Sequence, residues 1–162
     1  MTIRPYTDDD FDKIKHWAED ERIHALWSAG RFPYPLEKQG FEESLNGLMK
    51  KGETPFIAVN EYNTPVGFFC YSYNTDIKEG FLKFVIVSPE YRGKGCGREM
   101  IRKTVEYAFE NNAETIKLCV FSVNEAARKC YESVGFELTS VTENAFEYKG
   151  EMWGRCVMIH KR

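Results

Sequence analysis

Long hydrophobic runs are absent from this chain of 162 residues. No stretch approaches the roughly 18 uninterrupted apolar residues of a membrane-crossing helix. The opening MTIRPYTDDD has neither the basic patch nor the apolar run of a secretory leader. The expectation is a cytoplasmic protein with no membrane partner. Metal-ligand spacing is missing too. The five cysteines, Cys70, Cys96, Cys119, Cys130 and Cys156, are an odd number without a CxxC pair, and the three histidines, His16, His24 and His160, stand apart. This excludes the usual zinc arrangements and a disulfide framework, so no metal is expected and the cysteines read as reduced core residues. Repeats and Pro-rich or Gly/Ser linkers are also lacking, which leaves no place for a boundary, and residues 1–162 read as a single domain.

Nor is there an excess of positive charge. Twenty-two Lys and Arg against 25 Asp and Glu give a net charge of −3, which argues against a nucleic-acid partner held by a basic surface. Locally the balance changes. Between Glu90 and Lys103 the basic residues Arg92, Lys94, Arg98, Arg102 and Lys103 face only Glu90 and Glu99. Residues 1–53 lean the other way, and most of the run Asp8, Asp9, Asp10 and Asp12 reads as the solvated, acidic start of a helix.

What is present has the pattern of an α/β chain. Ile3–Tyr6 reads as a first strand, followed by a helix capped by Thr7 and carrying Phe11, Ile14, Trp17 and Ala18 on its apolar face. Short helices are expected over 21–27 and 37–50, with Pro33 and Pro35 keeping the segment between them irregular. Two β-type runs, 55–61 and 66–73, flank the turn residues Asn63, Thr64 and Pro65, and a third strand covers 80–88. A helix over 97–111 and a strand over 115–123 follow. Next comes a short helix opened by a capping box at Ser122–Glu125 and stopped at Gly135. Residues 136–148 and 152–160 read as a long hairpin around Lys149-Gly150. The sheet is therefore expected to be mixed, with helices on both faces.

Chemistry concentrates in FLKFVIVSPEYRGKGCGREMI, residues 81–101, where a buried strand enters a glycine-rich turn that opens into a helix. Gly93, Gly95 and Gly97 let backbone N–H groups approach a diphosphate closely, and the helix start adds its positive end. Arg92, Lys94 and Arg98 add formal charge. The spacing lacks the third glycine of a dinucleotide fingerprint, and no GxxxxGK[ST] loop is present.

The turn, Arg92-Gly93-Lys94-Gly95-Cys96-Gly97, resembles motif A of the GNAT superfamily of acyl-CoA-dependent N-acetyltransferases, whose core is Gln/Arg-x-x-Gly-x-Gly/Ala. A second stretch, VFSVNEAARKCYESVGFEL over 120–138, is similar to that family's next motif through Asn124, Ala127, Tyr131 and Gly135-Phe136. The resemblance implies a mostly antiparallel sheet of about seven strands flanked by helices. It also implies direct transfer of acetyl from acetyl-CoA to a primary amine of a small molecule or of a protein or peptide N-terminus. Val85, Ile86 and Val87 would offer backbone groups to the pantetheine arm. Arg92 to Arg98, Cys96 included, would hold the pyrophosphate, and Asn124 would fix the CoA arm.

Tyr131 would protonate the departing thiolate, because a phenol of pKa about 10 keeps its proton at neutral pH. Glu79 is the candidate base. Cys96 sits at a helix start but has no histidine near in sequence, so it reads as packing rather than as a nucleophile. For the acceptor, the resemblance points to the first helices and the last hairpin. Trp27, Phe32 and Tyr34 in one, and Phe146, Tyr148 and Trp153 in the other, suit a cationic amine through their aromatic faces. The alternative is a non-catalytic acyl-CoA-binding sensor. A monomer or a homodimer is expected, the hairpin offering an edge for pairing.

Overall fold

The computed structural model describes residues 1–162. Strands β1 (Thr2–Pro5), β2 (Thr54–Val59), β3 (Pro65–Asn74), β4 (Glu79–Val87), β5 (Thr115–Phe121), β6 (Glu137–Tyr148) and β7 (Glu151–Lys161) form one sheet in the order β1-β2-β3-β4-β5-β7-β6. Every neighbouring pair is antiparallel except β4 and β5, which the intervening helix requires to run parallel. The expected mixed, seven-stranded α/β sheet is what forms. The long terminal hairpin closes at Lys149 (φ 47) and Gly150 (φ 83), two positive φ angles in succession that match the twist of the strands they join.

Helices α1 (Phe11–Ile14), α2 (Glu21–Ser28) and α3 (Lys38–Met49) cover one face. They bury Phe11, Ile14, Trp27, Phe41 and Leu45 against Ile57, Phe68, Cys70 and Ile86. Helices α4 (Cys96–Glu110) and α5 (Glu125–Glu132) cover the other, setting Met100, Ile101, Val105 and Tyr131 on Phe69, Leu82, Ile116, Leu118 and Met158. Two cores thus share one sheet. Gly67 on β3 permits the close seating of α4, since a Cβ there would collide with the Met100 sulfur.

Three local expectations change. The first helix is regular only over Phe11–Ile14, with turns beyond, yet Phe11, Ile14, Trp17 and Ala18 are all buried as its pattern implied. Asp8, Asp9 and Asp12 are exposed as expected, and Asp10 is the exception in the acidic run. It is buried, accepts from the Thr7 N–H at 2.9 Å, and takes both arms of the Arg4 guanidinium at 2.7 and 2.8 Å. Asn124, rather than Ser122, caps α5 by accepting from the Ala127 N–H at 3.3 Å. The Ser122 hydroxyl instead accepts from Gly154 N–H at 3.0 Å and pins β7 to the end of β5. All five cysteines are free, but only Cys70 and Cys156 are fully buried, and Cys119 is exposed.

Candidate active site

The parallel ladder between β4 and β5 runs from Glu79–Thr115 to Leu82–Leu118 and stops there. Beyond it β5 stays with β7 up to Phe121–Arg155 while β4 stays with β3 up to Gly67–Val87, so the two strands part and a gap opens. At the parting point β4 carries a bulge against β3 between Phe68 and Cys70, and Phe84 takes φ 51. The Trp27 indole N–H of α2 donates to the Phe84 carbonyl at 2.9 Å and fixes this bulge from above.

The bulge sets which backbone groups face the gap. Ser88 N–H donates to Val66 O at 2.9 Å, and antiparallel alternation then turns the main-chain groups of Ile86 toward β3 and those of Val85 and Val87 toward the gap. Of the three residues expected to meet a pantetheine arm, Val85 and Val87 thus keep outward-facing backbone groups. Ile86 contributes a buried side chain to the α1–α3 core.

At the end of β4 the chain makes a one-turn 3₁₀ segment (Pro89–Tyr91) and enters the glycine loop. Gly93 (φ 70) and Gly95 (φ 82) lie in the left-handed region, where a side chain would be strained. The N–H groups of residues 93–98 make no hydrogen bond within the chain, the next donor being Glu99 to Gly95 O at 3.0 Å. Six successive unpartnered amides at a helix start are the donor set that an anion requires. Lys94 and Arg98 are exposed and make no ion pair, so their charges are free to face the same anion. Arg92 differs from the expectation. Its guanidinium donates to Val87 O at 2.9 Å and Trp17 O at 2.8 Å, tying the loop to β4 and to the connection before α2. Cys96 is half-buried in the first turn of α4, with no histidine beside it.

Tyr131, on α5, has its ring in the α4–α5 core, 6.0 Å from Phe136. Its hydroxyl makes no hydrogen bond in the chain and is not among the polar atoms sealed from solvent. Burial pushes the phenol above its ordinary pKa. Asn124 holds its side-chain oxygen on Ala127 N–H, which leaves its NH2 group for a ligand. Glu79 is not brought to this group of residues. It stands at the closed end of β4, 3.7 Å from Lys117, five residues and roughly 16 Å of strand before the bulge.

The acceptor side also departs from expectation. Trp27 and Phe32 are 7% and 2% exposed and stack on each other at 5.0 Å within a cluster that includes Phe41. They support the site from within the core and present no face to a ligand. Tyr34 is exposed and donates to Glu19 O at 2.9 Å. It lines a shallow depression with Lys15, His16 and Pro35. At the hairpin, Trp153 is fully buried and stacked on Tyr148 at 4.9 Å. Arg22 lies over Trp153 at 5.0 Å and pairs with Glu151 at 2.8 Å, while Lys149 pairs with Glu21 at 2.5 Å. The hairpin aromatics read as a cation site therefore help to fasten α2 to the hairpin.

The model of the Acetyltransferase (GNAT) family matches residues 11–136, most of the chain. The chain belongs to the GNAT family. Among curated GNAT relatives, an uncharacterized N-acetyltransferase of Methanocaldococcus jannaschii is 28% identical over 147 residues, 88% of this chain and 63% of that protein. The thialysine N-epsilon-acetyltransferase of Bos taurus is 30% identical over 116 residues, 62% of this chain and 68% of that protein. The chain thus spans less than two thirds of the length of the first relative. The fold matches that of a spermidine N-acetyltransferase from Vibrio cholerae in complex with CoA and spermine, with a TM-score of 0.84 at 24% identity over 99% of this chain and 94% of that one. It also matches a ribosomal-protein-alanine N-acetyltransferase from Brucella melitensis, with a TM-score of 0.78 at 20% identity over the whole of both chains.

GNAT proteins take acetyl-CoA as acyl donor, and the residues here fit that group: a run of amides without acceptors suits its diphosphate, and the gap suits its extended arm. Two residues singled out in the sequence hold other roles than expected. Trp27, read as an acceptor contact, fixes the bulge, and Arg92, read as a pyrophosphate ligand, braces the loop, through contacts 57 and 75 residues away in sequence.

Proposed function

We propose that this chain transfers the acetyl group of acetyl-CoA directly to a primary amine of a small molecule or of a peptide N-terminus. The observation that carries the reading is the run of six unpartnered amides at residues 93–98, set beside the gap between β4 and β5. When bound, acetyl-CoA supplies the acyl group and a thiol leaving group. The loop amides with Lys94 and Arg98 hold the diphosphate, Val85 presents its backbone groups and Val87 its N–H to the arm, and the free amide of Asn124 adds a donor. Tyr131 keeps its proton at neutral pH because its phenol is buried, and holds it where a departing sulfur can take it. Glu79 stays with Lys117 at the closed end of the ladder, so solvent takes the proton of the amine. A panel of amines with radiolabelled acetyl-CoA tests the reading: acetylated amine should form in step with released CoA. Label found only on alcohols or thiols, or no transfer at all, would remove it.

A further inference from the structure

The β4–β5 ladder ends at Leu82–Leu118, so Lys83 and Cys119 are the first residues on the two sides of the gap. Leu82 and Leu118 point into the α4–α5 core. Alternation therefore directs Lys83 and Cys119 to the opposite face, where no helix covers them. Three cations share that face: Lys83 level with Cys119, Lys117 two residues before it on β5, and Arg155, the ladder partner of Phe121 two residues after it.

Their partners are unequal. Lys83 is held by the buried Glu53, and Lys117 has only Glu79 at 3.7 Å. Arg155 is exposed and makes neither an ion pair nor a side-chain hydrogen bond. At one end of this face the Phe81 ring centroid lies 4.2 Å from Lys83 Nζ and 5.1 Å from Lys117 Nζ. At the other, beside Arg155, Phe121 packs on Phe146 at 4.9 Å and Trp153 at 5.2 Å. A positively charged, partly apolar strip of the sheet face thus borders the gap in which an acyl group would arrive. β7 lies one strand, about 5 Å, beyond β5.

We propose that Arg155, backed by Lys117 and Lys83, binds a carboxylate of the acceptor, so that the substrate is an amine that also carries a carboxylate rather than a polyamine. The proposal rests on the acetyltransferase reading above. An unpaired guanidinium offers a carboxylate two parallel N–H donors, while a second ammonium on the acceptor would meet an uncompensated like charge.

The test is acetyl transfer to amino acids set against the amines left when their carboxylate is removed, with O-phosphoethanolamine as a phosphate-bearing arm. At least one amino acid should be acetylated with a kcat/KM tenfold or more above its decarboxylated counterpart. Arg155→Gln should raise the KM for that amino acid tenfold or more, leave the KM for acetyl-CoA unchanged, and erase the discrimination, with Arg155→Lys intermediate. Arg155 is exposed, and an unchanged melting temperature would show that the variants fold. Better turnover of polyamines, discrimination intact in Arg155→Gln, or preference for the phosphate would each overturn the carboxylate assignment while leaving the acetyltransferase standing. Absence of transfer to every amine would overturn both.

Discussion

Tyr131 joins a buried ring to a hydroxyl that nothing in the chain engages. Removing that oxygen breaks no internal hydrogen bond, so a chemical role can be separated from a structural one. Tyr131→Phe should lower kcat about 100-fold, within the range of a lost general acid, while melting temperature and CoA affinity stay as they are. A comparable loss of stability would make Tyr131 a core residue only. Asp10 presents the opposite case. Burial alone would raise its pKa, but the Arg4 hydrogen bonds, the Thr7 N–H and the Arg4 charge outweigh this and hold the carboxyl below its ordinary 3.8. The unfolded chain therefore takes up this proton first as pH falls. The stabilisation is full above the unfolded value and disappears as pH drops through the folded one. Asp10→Asn should destabilise the fold by about 2 kcal/mol at pH 7. Urea melts near pH 3 should show a smaller difference between the two proteins.

At the scale of elements, the seat of α4 on the sheet sets where its first turn presents its amides. Gly67→Ala would push a Cβ into Met100 and to 3.1 Å from Ile86 O, lifting the helix or displacing the side chain. A loss of about 1–3 kcal/mol is expected from such overpacking, together with weaker CoA binding measured by calorimetry. Unchanged CoA affinity despite that loss would uncouple the seat of α4 from the loop. The elements themselves were legible because their signals are local. Met100, Ile101, Val105 and Ala108 repeat at helical spacing, Gly135 stops α5, and Lys149-Gly150 supplies the turn of the hairpin. The loop glycines were legible for the same reason. The bulge at Phe84 was not, because a phenylalanine at positive φ has no sequence signal and is fixed by Trp27 and by the register with β3. Trp27 and Phe32 misled because aromatic density marks a core as readily as a pocket. The charge pattern of residues 1–53 likewise did not show that Glu21 would be claimed by Lys149 and Arg22 by Glu151.

In the molecule as a whole, two cores lie back to back across one sheet, and the gap between β4 and β5 opens between them. A ligand in that gap touches elements from both cores, so its binding free energy adds to the stability of the folded state. Acetyl-CoA or CoA at 100 times its dissociation constant should add about 2.7 kcal/mol and raise the melting temperature, while NAD and ATP should not. A shift with NAD or ATP alone would point to a nucleotide-binding protein. The ion pairs of Glu21 with Lys149 and of Arg22 with Glu151 tie α2 to the terminal hairpin across the edge of the same sheet.

The amides of residues 93–98 have one more implication. A main-chain N–H belongs to every residue type except proline, so the grip on a diphosphate is encoded by the path of the chain more than by its side chains. Only the positions with left-handed backbone, Gly93 and Gly95, restrict what the loop accepts. In the proposed role, changes at Lys94, Cys96 and Arg98 would adjust affinity and salt sensitivity without erasing the site, because the grip would rest on the backbone of two glycines.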